Sequence, residues 1–162
     1  MNRLNQNTQS PHKGQEGVFT AISVGFALLV IGTLFVITPN LFDSIIEFIK
    51  DLGLVDVPNT EIMFFGPELP LRHMTLYQAA GQLSIAVAVF EVFMLALRFV
   101  IPSSWEKRSE TAGNLVYWIG AAYLIQVFLI DSTQWFVFWS TIIMIIGVSF
   151  IARAAVNAIS KI

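Results

Sequence analysis

The chain has 162 residues, 56% of them hydrophobic and 12% charged, with a net charge of −2, against about 25% charged in an ordinary soluble domain. Such a composition excludes a water-soluble core, and nine dispersed Lys and Arg residues are too sparse for nucleic acid. It is the composition of one all-α, polytopic membrane domain whose first partner is the lipid bilayer.

In chain order, a polar segment at 1–17 is expected to be a flexible tail. The first apolar run, 18–37, carries no charge and exceeds the hydrophobic stretch of a cleaved leader, so it reads as a retained signal anchor. Thr38, Pro39 and Asn40 then introduce a short helix expected over 40–52. Leu41, Ile45, Phe48, Ile49 and Leu52 recur on one face, Asp43, Glu47, Lys50 and Asp51 lie off it, and Gly53 is expected to end it. This segment is too short to span, which predicts an amphipathic helix lying at the interface. Within the following outer loop, 53–74, β-prone residues from Val55 to Phe65 surround Pro58 and Asn59 and predict a small hairpin.

Three further spans are expected at 76–101, 113–130 and 134–152, followed by a short C-terminal end at 155–162. Thr75 with Gln78, Ser103 with Glu106, and Asp131 with Gln134 have the spacing of capping boxes, and Pro102 stops the second span. The last three spans are joined by short links, so they are antiparallel neighbours in a four-helix bundle. Seven basic residues (Arg3, Lys13, Arg98, Lys107, Arg108, Arg153, Lys161) fall in the two termini and the second connection, against Lys50 and Arg72 in the first. The positive-inside rule therefore predicts a multi-pass protein of the cell membrane with both termini cytoplasmic.

Glu91 is the ionisable residue deepest in a span, and an isolated carboxyl there costs several kcal/mol unless paired, hydrogen-bonded or neutral. Tyr77, Gly81, Ser84, Ala88, Glu91 and Arg98 recur at three, four or seven residues and predict one packing stripe. Counted from the helix ends, Gly25, Gly120 and Gly147 are expected near the depth of Glu91, closing the backbones around it. Tyr117 or Ser149 is expected to hydrogen-bond the carboxyl, and Arg153 or Arg98 to pair with it. Glu91, Ser84, Tyr117, Arg153 and Arg98 thus form a candidate intramembrane polar site, with two readings: a group that fixes helix register, or a proton or cation site. Arg98 and Arg153 also lie near helix ends, where long side chains reach the headgroups. Trp135 and Trp139 at one end, and Trp105 and Trp118 at the other, read as interfacial anchors.

Other chemistry finds little support. The chain contains no cysteine, which removes thiol catalysis and cysteine metal sites, and its two histidines, His12 and His73, are expected outside the spans. No cofactor, metal site or catalytic set is expected, so enzyme is the least supported class. Thr38 to Phe42, Val57 to Thr60, Ala96 to Val100 and Trp135 to Trp139 resemble stretches of small uncharacterised four-span membrane proteins of archaea. That resemblance implies a prokaryotic, archaeal topology and no activity. Claudin-like four-span proteins differ in having an extracellular cysteine pair. The expected function is a non-catalytic membrane component, a homo-oligomer or an accessory subunit of a larger complex; the alternative is a proton or small-cation conductor that uses Glu91 in an oligomer.

Overall fold

A computed structural model describes residues 11–101 and 103–159, with side chains from residue 17 onward. The expectations placed on residues 1–10, Pro102 and Lys161 lie outside the described residues. The fold is all-α, with four helical segments long and apolar enough to cross a membrane: Gly17–Ile37, Pro70–Val100, Trp105–Asp131 and Trp135–Ile159.

Helix α1 runs Pro11–Ile37. Residues 11–17, expected as part of a flexible tail, are therefore helical. Helix α2, Leu41–Asp51, follows after Asn40 turns the chain in the left-handed region (φ 55°) with no side-chain cap bond. Asparagine is among the few residues that adopt this conformation at modest cost. Leu41 is buried and Ile45, Phe48 and Leu52 are half-buried, so the inner face follows helical spacing. Ile49, expected on that face, points away and is 61% exposed. Gly53 does not end the helix either. The chain is already extended at Leu52, where strand β1, Leu52–Asp56, begins.

Strand β1 pairs antiparallel with β2, Met63–Pro67, in a register that sets Gly53 opposite Gly66 and Val55 opposite Phe64. The connection turns at Asn59 (φ 63°), and the Thr60 hydroxyl donates to the Val57 carbonyl. A 3₁₀ turn, Pro70–His73, leads into helix α3, Met74–Val100. The structure therefore replaces the capping box expected at Thr75 and Gln78: a proline-started turn winds continuously into the helix, and no side-chain cap bond forms.

Helix α4, Trp105–Leu124, continues without a break into a π-helical segment, Ile125–Asp131, and α5 spans Trp135–Ile159. The cap of α4 is Ser104, one residue later than expected, its hydroxyl accepting from the Lys107 amide at 3.4 Å. Asp131 does not cap α5, because its carboxylate is engaged by the Gln126 amide at 2.8 Å across the π-helical segment.

Packing divides the bundle unequally. Helix α4 lies along both α3 and α5, whereas α1 touches α3 and α2. Between α3, α4 and α5 the core is apolar, with Tyr77, Ile125 and Leu129 toward the hairpin and Ala121, Leu124 and Ile142 below them. Helix α1 buries only Phe19 and Leu34 among its described side chains. Glycine roles separate accordingly. A Cβ at Gly120 would come within 2.7 Å of Ile145, and one at Gly113 within 3.1 Å of the Ser149 carbonyl, so these are the points where α4 and α5 meet closely. Gly25 and Gly147, expected to close around Glu91, face open space instead.

Candidate functional site

Two polar constellations stand out, one at each side of the apolar core. The first is built on Glu91 and Asn114. These residues are equidistant in sequence from the connection between α3 and α4, so the antiparallel pairing of the two helices brings them to one level. The Asn114 side-chain amide donates to Glu91 Oε1 at 3.5 Å. Each residue lies nine positions from the end of its helix nearest that connection, about 13 Å along the axis. Both residues lie within segments long and apolar enough to cross a membrane, Pro70–Val100 and Trp105–Asp131.

The expected stripe on α3 holds for its small and terminal members. Tyr77, Ser84, Ala88 and Arg98 are each at most 8% exposed, and Gly81 is buried against Ile125. Glu91 departs from it. It is half-buried beside an exposed Asn114, at the rim of the α3–α4 seam and not enclosed at its centre. Ser84 turns its hydroxyl to the Ala80 carbonyl of its own helix at 2.9 Å, and Ser149 does the same to Ile146 at 2.7 Å. Tyr117 is half-buried with its ring against Trp118, so the partner of Glu91 is Asn114, where Tyr117 or Ser149 had been expected.

Further charged residues lie between Glu91 and the α3–α4 connection. Arg98 is buried, its guanidinium carbon 4.6 Å from the Phe19 ring centroid. It does not reach outward to headgroups, because the α1 ring offers a cation–π face inside the bundle. Glu110 is paired with Lys107 at 2.8 Å. Arg153 is half-buried and packs its Cβ toward Gly113 of α4 rather than toward Glu91.

The second constellation joins α2, the 3₁₀ turn and α5. His73 is 2% exposed and its Nε2 lies 2.7 Å from Asp51 Oδ2. The same carboxylate oxygen accepts the Leu69 amide at 3.0 Å, and the Glu68 amide donates to the Asp51 carbonyl at 3.1 Å. Its bond with His73 first, then the Leu69 amide, holds the Asp51 carboxyl below its usual 3.8, against the opposing effect of burial. Phe48 lies edge-on to His73 with centroids 5.1 Å apart, and also contacts Tyr77 and Trp135. Trp135 is thus more than the interfacial anchor expected of it: its indole donates to the Phe65 carbonyl at 3.2 Å, and Gly66 leaves room for its ring, which a Cβ would meet at 2.9 Å.

Neither Asp51 nor His73 was singled out as a site from the sequence. Asp51 reads there as the polar edge of an amphipathic helix and His73 as a loop residue, and their meeting depends on the hairpin register between them. Among the described residues no group of three or more His, Cys, Asp or Glu side chains is placed to hold a metal ion. No family model, curated protein or solved structure matches this chain.

Proposed function

We propose that this chain is a non-catalytic membrane component that works within an assembly, as a homo-oligomer or as an accessory subunit of a larger membrane complex. One observation carries the reading: the Glu91–Asn114 pair sits at the outer rim of the α3–α4 seam, with Asn114 exposed, inside two segments long and apolar enough to cross a membrane. Polar groups placed there are stabilised when another helix covers them, and side-chain hydrogen bonds between helices contribute about 0.6–2 kcal/mol each. The loose attachment of α1, which leaves most of that helix outside the core, supports the same reading. In this proposal α2 lies in the outer interface and both termini are cytoplasmic.

A single cysteine at Asn114 tests it, since the chain has no cysteine of its own. Oxidation in native membranes should yield a cross-linked species through position 114 and none through Ile143, which is exposed on α5. Equal cross-linking at both positions, or none at 114 by any bifunctional reagent, would count against an interface at the pair.

A proton or small-cation conductor is the second reading, favoured by the Lys107–Glu110 pair lying at the same end of α4 as Asn114, the partner of Glu91. Toward the hairpin the interhelical space is filled by Ala121, Leu124, Ile125 and Ile142, so a conductor would need further copies to complete its route. A flux in liposomes that is abolished by Glu91→Gln would favour it.

A further inference from the structure

The hairpin has two unlike faces. Val55, Phe64 and Gly66 point one way, where Phe64 meets Phe136 and Gly66 meets Trp135, so this face covers the first turn of α5. By strand alternation Leu54, Asp56, Met63 and Phe65 point the other way. Leu54 is 67%, Met63 58% and Phe65 55% exposed. Three large, mostly exposed apolar side chains therefore share this face of the hairpin.

We propose that this outward face of the hairpin is a lipid-contact surface, seated in the interfacial layer of the bilayer at the α2 end of the bundle. Height is the first argument. The Phe65 carbonyl is bonded to Trp135, the first residue of α5, and β2 leads within three residues into the Pro70–His73 turn of α3. The face is thereby held level with the ends of two helices long enough to cross a membrane, within one strand length, about 17 Å, of their first turns. Continuity is the second. Val137 and Trp139 on the next turn of α5 are themselves exposed, so the apolar surface of the span runs on toward the hairpin and its aromatic side chains.

Charge placement completes the case. Asn59, Thr60 and Glu61 make a polar, exposed tip, and of the outward residues the Leu54–Phe65 pair lies on the bundle side of the Asp56–Met63 pair. This grading matches an interface with lipid on one side and water on the other, and the acids favour a zwitterionic over an anionic surface. A second copy would have to bury Asp56 as well, which an interface core disfavours. This inference does not depend on the assembly proposed above.

Nitroxides attached to single cysteines at Leu54, Phe65 and Asn59, in phosphatidylcholine vesicles, test it through collisions with oxygen, which dissolves in lipid, and with a water-soluble nickel chelate. At 54 and 65 oxygen should dominate, and at 59 the ratio should reverse. In the unmodified protein, a phosphatidylcholine carrying a diazirine should label the 63–65 segment and spare 59–61, which guards against a label that unfolds the hairpin. Nickel accessibility at 54 and 65 equal to that at 59, with no diazirine labelling, would place the face in water and overturn the proposal. Protection of 54 and 65 from both probes would mean that protein covers the face, and overturns it equally.

Discussion

Replacing Asp51 by Ala should loosen the hairpin from the bundle while leaving the long helices in place. The magnitude follows from burial: the His73 side chain is 1% exposed and Asp51 is its carboxylate partner at 2.7 Å. A buried ring nitrogen left without a partner costs about 1–3 kcal/mol, and the Leu69 amide, which can turn to water, adds at most about 0.5 kcal/mol. A central value of about 2 kcal/mol corresponds to a change on the order of 30-fold in an opening equilibrium. Amide hydrogen exchange across β1 and β2 reads that equilibrium directly. The pH dependence has a defined sign. Because folding lowers the Asp51 value below 3.8, its contribution is complete above the unfolded value, about 3.9, and is lost as pH falls through the lower folded one. The difference between wild type and Asp51→Ala should accordingly be full at neutral pH and vanish in strong acid. Unchanged hairpin exchange in Asp51→Ala at neutral pH would refute the reasoning, as would a difference that persists undiminished at the acid end.

Gly120→Val should destabilise the α4–α5 contact by about 1–3 kcal/mol, because the added Cβ meets Ile145 at 2.7 Å and a β-branched neighbour yields little; Gly25→Ala, with nothing within 4 Å, should meet no steric penalty and should not lower the melting midpoint, since alanine favours the helix over glycine. Glu91→Gln keeps a hydrogen-bonding group opposite Asn114 and should leave stability nearly unchanged, whereas Glu91→Ala should lose about 1–3 kcal/mol in detergent unfolding. Equal losses in the two Glu91 variants would show that the charge itself matters to the fold.

Helices α3, α4 and α5 were legible because the apolar run length, the short links and the helical spacing all agree about them. Tyr77, Gly81, Ser84 and Ala88 showed the inner face of α3 for the same reason: small and polar residues at three and four apart seldom suit lipid. Local chemistry was less decisive at the helix starts. Ser103 and Ser104 stand side by side, and which of them caps α4 depends on how the chain leaves α3, which no local pattern states. Depth counting misplaced Gly25 and Gly147, because equal depth does not mean that two helices face each other, and α1 stands apart from α4 and α5. The signal for Asn114 was present in its symmetric spacing with Glu91 about Pro102 and Ser103. Asp51 and His73 had no comparable signal, since their contact requires the hairpin to turn at Asn59 and pair Leu52 with Pro67.

The mass of the particle extracted from its native membrane, measured in lipid nanodiscs for wild type and for Glu91→Leu combined with Asn114→Leu, tests the assembly most directly. The account predicts a wild-type particle heavier than one 18.1 kDa chain, and a folded double variant that falls to a single chain once the polar pair is gone. A wild-type particle of one chain, or a double variant that keeps its full assembly, would contradict it.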